Sequence, residues 1–222
     1  LMVRCEFFLK EVYRILLLLP FIVPPFVGAI GMIKLFSRFG SINIILTNIL
    51  MFLGLAKEPL IIDWFANKIA GIIFLEVLHL YPIAYLNIAA SISNIDPSLE
   101  ESAETLGVTG FKKFITVTFP LSLPGVAAAA AIIFIWSFTD LGTPLMFNFF
   151  KVVPVQIFNM SREIYANPMG YALTVLVLIL TSLVFIGIKR YTTIRSYEMM
   201  GRGHVAEKKY VLGKGKQVIV II

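Results

Sequence analysis

The stretch DPSLEESAETLGVTGFKKFITVTFPLSLPG, residues 96–125, is polar, carries both charge signs and lies between two long apolar runs. Soluble domains contain about 25% charged and about 45–50% apolar residues, whereas this chain of 222 residues contains 14% and 59%. Burial in one soluble core cannot absorb that excess of apolar surface, but a lipid bilayer can. The sequence therefore predicts an all-α, polytopic membrane protein with a polar helical segment inserted between two of its spans.

Four segments have the length of a membrane-spanning helix, which needs roughly 20 apolar residues. They are about 12–35, 68–92, 121–147 and 169–188. Pro20, Pro24 and Pro25 lie in the first segment and predict a kinked or broken helix there. The apolar stretch 42–55 is too short to span comfortably, and we expect it to be interfacial or re-entrant.

Lysine and arginine are unevenly distributed over the connecting segments. Thirteen of the nineteen lie in the N-terminal flank, in the loop 96–120 or in the C-terminal tail, and six lie elsewhere. Because positive charge is retained on the cytoplasmic side of a membrane, both flanks and the loop 96–120 are predicted to be cytoplasmic, with 36–67 and 148–168 outside. The net charge of +6 then reflects topology rather than nucleic-acid binding.

Few residues are available for metal, redox or nucleotide chemistry. Cys5 is the only cysteine, which excludes an internal disulfide and a cysteine-based metal site. His79 and His204 are the only histidines, and no Walker A pattern is present, so we predict neither a metal site nor ATP hydrolysis for this chain. The apolar residues 217–222 follow a basic tail, 189–216. We expect one membrane domain, 1–222, cut at both ends from a longer protein.

The pattern of the loop 96–120 predicts a helix, a glycine turn and a second helix. Asp96 followed by proline is a typical helix start, and Ser98 with Glu101 offers an alternative capping box. Gly107 is predicted to end the first helix in a left-handed conformation. Pro120 and Pro124 are then expected to interrupt the helix at the entry to the third span.

The first helix of this loop is predicted to have two different sides. Its apolar positions recur at helical spacing, and its acidic positions take the other side. The apolar positions are Leu99, Ala103 and Leu106, and the acidic positions are Glu100, Glu101 and Glu104. A polar hairpin on the membrane surface is one interpretation, but an acidic helix gains nothing from an anionic lipid surface. A protein partner fits better.

The loop resembles the EAA motif of permease subunits of binding-protein-dependent ABC importers. In that motif Glu-Ala-Ala is followed after three residues by Gly, and after nine more by Ile, one residue and Leu-Pro. This chain has the same spacing in Glu101, Ser102, Ala103, Gly107, Val117, Phe119 and Pro120. The stretches 19–32, 81–107 and 137–147 most resemble the iron(III)-type branch, in which two permease halves are often fused.

The resemblance implies a type I importer permease-like helical bundle that forms a substrate pathway. It also implies that the loop 96–120 docks in a groove of an ATP-binding subunit and transmits the closure of that subunit. The residues implied in this docking are Leu99, Glu100, Glu101, Ser102, Ala103, Glu104, Leu106 and Gly107. The residues implied in returning the chain to the membrane are Val117, Phe119 and Pro120.

The same resemblance implies the partners, which are two ATP-binding subunits, a second permease half, an extracytoplasmic substrate-binding protein and the bilayer of the cell (inner or plasma) membrane. ATP and magnesium belong to the partner subunits, so no cofactor is expected here. The implied substrate is iron(III) or another small solute. The alternative is a secondary transporter or channel fragment without an ATPase partner, which leaves the loop 96–120 unexplained. A membrane enzyme would need a cluster of His, Asp or Glu that this chain lacks.

Three ionisable residues within the predicted spans are candidates for the translocation pathway. Glu76 and His79 lie at i and i+3, hence on one helix face. Asp140 lies in the third segment, where Gly142 and Pro144 should break the helix. Ionisable groups inside a membrane are costly and are pathway candidates by default. A structural hydrogen bond between helices remains open for Glu76, and a helix-end acid facing outer water remains open for Asp140.

Overall fold

The structure is a computed structural model, and it describes residues 2–161, 168–195 and 210–211. Their elements are, in chain order, β1 (Cys5–Glu6), α1 (Lys10–Ile22), α2 (Pro25–Phe36), α3 (Ser41–Phe52), α4 (Lys68–Ser93), α5 (Pro97–Thr105), α6 (Gly110–Lys113), a π-helical turn (Phe114–Thr118), α7 (Phe119–Thr139), α8 (Gly142–Met146), α9 (Val153–Ser161), α10 (Met169–Arg195) and β2 (Tyr210–Val211). The two short strands pair in parallel. The remaining regular structure in these ranges is helical, which confirms the all-α fold.

Among the described residues, four helical stretches are long and apolar enough to cross a membrane. They are Pro25–Phe52, Lys68–Ser93, Gly110–Met146 and Met169–Thr192. The first joins α2 to α3 across a short break, so it begins later than the predicted segment 12–35 and includes residues 42–52 of the stretch that is too short by itself. The apolar residues 217–222 and most of the basic tail lie outside the described residues.

The predicted break in the first apolar segment is confirmed. Helix α1 ends at Ile22 and α2 begins at Pro25. Pro24 has an extended backbone, with φ −55° and ψ 139°, and Pro25 occupies the first helical position of α2. A proline at that position loses no helical hydrogen bond, because its missing N–H would have had no partner in the helix.

The prolines at the entry to the third span do not interrupt the helix, so that expectation was wrong. Helix α6, the π-helical turn and α7 follow one another without a gap from Gly110 to Thr139. A proline ring clashes with the carbonyl group four residues earlier in an α-helix. The wider π-helical turn lies directly before Pro120 and relieves that crowding. Pro124 lies inside α7.

The described residues belong to two compact units. The first contains parts of Leu1–Leu19, Pro82–Ile135 and Leu180–Ile222, and the second contains parts of Pro20–Tyr81 and Trp136–Ile179. The second unit has a small buried apolar cluster in which α2, α4 and the end of α8 meet. Its members are Ala29, Leu75 and Phe147, with Met32, Ile33, Phe65 and Ile72 packed against them.

In the first unit, α7 approaches α4 very closely at Gly125. A Cβ atom added at Gly125 would lie 2.3 Å from the Ser91 Cβ atom and 2.7 Å from the Asn87 carbonyl oxygen. The Ser91 hydroxyl donates a hydrogen bond to the Ser122 carbonyl oxygen at 3.3 Å. Small residues let membrane helices come close enough for their backbones to interact. Glycine is therefore required at this crossing.

A polar network in the second unit holds the segment 53–67 against α3. The buried Asn43 amide donates to the carbonyl oxygens of Arg38, at 3.0 Å, and Ile62, at 2.6 Å. Its side-chain oxygen accepts a hydrogen bond from the Trp64 indole N–H at 2.8 Å. Thr47 accepts another from the backbone of the same segment. Side chains of α3 thus replace the backbone partners that this segment lacks.

Candidate functional site

Helix α5 of the loop 96–120 begins at Asp96, as predicted. The Asp96 carboxylate accepts a hydrogen bond from the Ser98 N–H at 2.9 Å. This bond from the Ser98 backbone holds the pKa of Asp96 below its usual range. Pro97 takes the first helical position. The N-cap is therefore Asp96, and the alternative start at Ser98 is not used.

The turn after α5 is the Schellman arrangement that a glycine at positive φ allows. Gly107 has φ +79°. The Gly107 N–H donates to the Glu104 carbonyl oxygen and the Val108 N–H donates to the Ala103 carbonyl oxygen, both at 2.9 Å. The predicted role of Gly107 as the residue that ends the helix is confirmed. Thr109 then precedes α6 without a side-chain cap.

The two predicted sides of α5 are only partly correct. Glu101, Ser102, Glu104 and Leu106 are exposed, and Leu99 is 43% exposed. Ala103 is buried within the chain. The grouping of Glu100 with Glu101 and Glu104 on one acidic side was wrong, because the Glu100 side chain is buried and the other two are exposed.

Glu100 is buried because two residues from other parts of the chain satisfy its two carboxylate oxygens. The Thr118 hydroxyl donates to Oε1 at 2.9 Å. The Arg4 Nε atom lies 3.3 Å from Oε2, and the Arg4 Nη2 atom donates to the Ile95 carbonyl oxygen at 3.1 Å. A carboxylate can leave water when an opposite charge and a hydrogen-bond donor replace its hydration.

The start of the return helix exposes aromatic surface. Phe111 is 76% exposed, and its ring stacks on that of Phe114 with 6.3 Å between the ring centroids. Phe114 also lies 6.1 Å from the Phe119 ring. The residues assigned to the return of the chain are half-buried in the case of Val117 and Pro120 and exposed in the case of Phe119.

An ion pair crosses the turn between the two helices. The Lys113 ammonium group lies 2.6 Å from the Glu104 carboxylate. This contact links the last turn of α5 to α6 on the far side of Gly107, so the turn is closed by side chains as well as by its backbone hydrogen bonds.

The structure brings two of the three pathway candidates together. The Glu76 side chain lies close to the side chains of Asp140 and Thr143, but the buried Thr143 hydroxyl makes no hydrogen bond to it. Helix α7 ends at Thr139, just before Asp140, which confirms the predicted break. The Asp140 carboxylate accepts hydrogen bonds from the Gly142 N–H at 3.1 Å and the Thr143 N–H at 3.0 Å. It therefore holds the start of α8 as well as meeting Glu76.

His79, the third candidate, lies in a different environment. It is buried, its Nδ1 atom lies 3.3 Å from the Pro20 carbonyl oxygen, and its ring stacks on Phe21 with 5.8 Å between the centroids. The Pro20 carbonyl oxygen would accept from the N–H of residue 24 in a continuous helix, but residue 24 is a proline and has no N–H. His79 thus lies beside α1, and its assignment to the pathway stays a prediction.

A family comparison identifies the kind of protein that carries this arrangement. Residues 3–193 match the family described as "Binding-protein-dependent transport system inner membrane component". The chain belongs to this family. A permease of this family is a membrane protein, in agreement with the four candidate spans.

Two relatives of this chain are named for the transport of different metals. The putative ferric transport system permease protein FbpB 1 of Haemophilus influenzae is 28% identical over 205 residues, which are 87% of this chain and 30% of that protein. The molybdenum transport system permease protein ModB of the same organism is 27% identical over 212 residues, which are 93% of this chain and 87% of that protein. This chain spans less than a third of the length of the ferric permease. It resembles a molybdenum permease to the same extent, so the resemblance is not specific to the iron(III)-type branch.

A solved structure has the same fold. The crystal structure of a bacterial alginate ABC transporter, in complex with an alginate pentasaccharide-bound periplasmic protein, contains a chain that matches with a TM-score of 0.64 at 16% identity. The match covers 85% of this chain and 66% of that chain.

Proposed function

We propose that this chain is the membrane-spanning permease subunit, or one half of a fused permease, of an ATP-driven importer. In this proposal its spans form the substrate pathway, and the loop 96–120 transmits the closure of an ATP-binding subunit. The chain itself hydrolyses no ATP, because ATP and magnesium are bound by that partner.

The observation that carries the proposal is that an otherwise polar loop exposes apolar side chains. Leu106 is 82% exposed and Phe111 is 76% exposed, one on each side of the Gly107 turn. Exposed apolar groups rimmed by charged residues mark sites of protein contact. A capped helix that ends in a fixed turn also presents those groups in one orientation, which suits insertion into a groove.

The proposed assembly follows from this orientation. Two ATP-binding subunits lie on the cytoplasmic side with the loop 96–120, and an extracytoplasmic substrate-binding protein lies opposite. The uneven distribution of lysine and arginine supports this orientation. A second permease half, fused or separate, completes the pathway.

The proposed substrate is a small inorganic ion. The names of the two Haemophilus influenzae relatives indicate ferric iron and molybdenum. Glu76 and Asp140 are the proposed pathway residues, since both are carboxylates within candidate spans and Asp140 lies at the break after α7. Uptake by cells that contain the complete importer, measured separately with radioactive iron(III) and molybdate, decides between the two ions.

Reversal of one charge on the exposed side of α5 tests the coupling role directly. Glu101→Lys changes the surface of the loop without touching a candidate span, so membrane insertion should be retained. Purified with the ATP-binding subunits and the binding protein, this variant should hydrolyse ATP with weak stimulation by the binding protein. Stimulation, co-elution and uptake all at the level of the unmodified complex would contradict the proposal.

A further inference from the structure

The contacts of Glu100 are internal and join three distant parts of the first unit. Its two carboxylate oxygens are held separately, by Thr118 in the π-helical turn and by Arg4 before β1. The Glu100 and Arg4 side chains are only 9% and 14% exposed. A carboxylate held in this way inside its own chain offers no charge to a partner subunit.

Arg4 contacts both α5 and the residue that precedes its N-cap. Its Nη2 atom donates to the carbonyl oxygen of Ile95, the residue just before the N-cap, and its Nε atom lies beside Glu100 one turn later. The Nε contact is an attraction between charges rather than an aligned hydrogen bond. One guanidinium group thereby fixes both the position at which α5 begins and the rotation of the helix about its axis.

Packing alone does not fix α5 at this place. A partly open pocket of about 560 Å³ lies beside the ion pair and is lined by Tyr85, Ile92 and Phe114 as well as by Arg4 and Glu100. Close-packed cores resist displacement, whereas a helix beside a cavity can shift. At this end of α5 the polar contacts of Glu100 therefore contribute to the orientation of the helix, in addition to the packing of the buried Ala103.

We propose that Arg4 and Glu100 are positioning residues for the loop 96–120. Their ion pair, completed by Thr118, sets the direction in which α5 presents Leu106 and its exposed acidic residues. The consequence for import rests on the proposed coupling function of this loop, whereas the consequence for α5 does not.

Hydrogen exchange of the α5 amides in the purified importer tests this positioning. Arg4→Gln and Glu100→Gln each leave a buried charge without its partner, so the amides of 99–106 should exchange roughly tenfold faster or more. In the double variant, the fold increase in exchange rate should be smaller than the product of the two single increases, because the two residues interact with each other. Arg4→Lys keeps the charge and should recover part of the protection.

Two further variants provide a milder change at the same site and a matched control elsewhere. Thr118→Val removes one hydrogen bond with little change of shape and should give a smaller increase, which keeps the test informative if an ion-pair variant does not assemble. Arg14→Gln is the matched control, because the pair of Arg14 with Glu11 is 58% and 75% exposed. It should leave α5 exchange unchanged.

A second measurement separates this inference from the coupling function. Stimulation of ATP hydrolysis by the binding protein should fall in the same variants in which α5 exchanges faster, with co-elution of the ATP-binding subunits retained. Unchanged exchange in both Arg4→Gln and Glu100→Gln would overturn the positioning role. Faster exchange with full stimulation would support the positioning role and count against the coupling function.

Discussion

The N–H group of Val108 donates a hydrogen bond to the carbonyl oxygen of Ala103 at 2.9 Å, and Gly107 makes this possible with φ +79°. A Cβ atom added at Gly107 would meet nothing within 4 Å, so any effect of substitution there comes from the backbone. A β-branched residue resists that conformation, whereas asparagine is one of the residues that adopt it most readily.

Gly107→Val should therefore strain the turn by about 1–2 kcal/mol and redirect the chain after α5, and Gly107→Asn should be tolerated. In the purified importer, the valine variant should lose most of the stimulation of ATP hydrolysis by the binding protein, and the asparagine variant should keep it. Equal activity of the two variants would show that the conformation of this turn does not matter for coupling.

The proposed orientation predicts that two exposed serines lie on opposite sides of the membrane. Ser98 lies at the start of α5 and Ser161 at the end of α9. In a Cys5→Ser background, a cysteine at Ser161 should react with an impermeant maleimide added to intact cells. A cysteine at Ser98 should react only after the membrane is permeabilised. Reaction of both cysteines in intact cells would reverse the assignment of the loop 96–120 to the cytoplasm.

The close crossing of α7 and α4 predicts that even one methyl group at Gly125 destabilises the protein. Gly125→Ala places a carbon 2.3 Å from the Ser91 Cβ atom and 2.7 Å from the Asn87 carbonyl oxygen. We expect a loss of about 1–3 kcal/mol, measured as a lower midpoint of thermal unfolding in detergent.

The matched control for this crossing is Gly187→Ala in α10, where an added Cβ atom would meet nothing within 4 Å. It should be neutral or slightly stabilising, since alanine favours helix over glycine. Adding Ser91→Gly to Gly125→Ala should recover only part of the loss, because the Asn87 carbonyl oxygen remains in place. A Gly125→Ala variant as stable as the unmodified chain would contradict the close crossing.

Local sequence rules predicted the features that depend on neighbouring residues. Asp96 as the N-cap, Gly107 as the end of α5 and the break at Pro24 all depend on backbone conformations that a few adjacent residues determine. The all-α fold followed from apolar segments long enough to span a bilayer.

The errors concern contacts between distant residues. Glu100 lies at a helical position that predicts exposure, but Arg4 and Thr118 bury it from positions that no local periodicity connects with α5. The contacts of Asn43 could not be predicted either, because its partners Ile62 and Trp64 lie in a segment without regular structure. Such contacts depend on the tertiary fold, which one sequence does not reveal.

The pairing of Glu76 with Asp140 leads to a test of the substrate pathway. Asp140 also accepts two backbone hydrogen bonds at the start of α8, so a structural role and a pathway role must be separated. Asp140→Asn keeps an oxygen that can accept one of these bonds but removes the charge. Asp140→Ala removes both the accepting oxygens and the charge. A structural role alone predicts that the asparagine variant transports normally with a small loss of stability, because its NH2 group cannot accept the second bond, and that the alanine variant is less stable still.

A pathway role predicts a different outcome. Asp140→Asn and Glu76→Gln should each lower uptake by roughly tenfold or more, which is about 1.4 kcal/mol per tenfold, while both variants still fold and co-elute with the ATP-binding subunits. His79→Gln serves as the comparison, because His79 contacts Pro20 and Phe21 and should affect stability more than uptake. Uptake at the unmodified rate in both carboxylate variants would assign Glu76 and Asp140 to the support of α8 rather than to the path of the substrate.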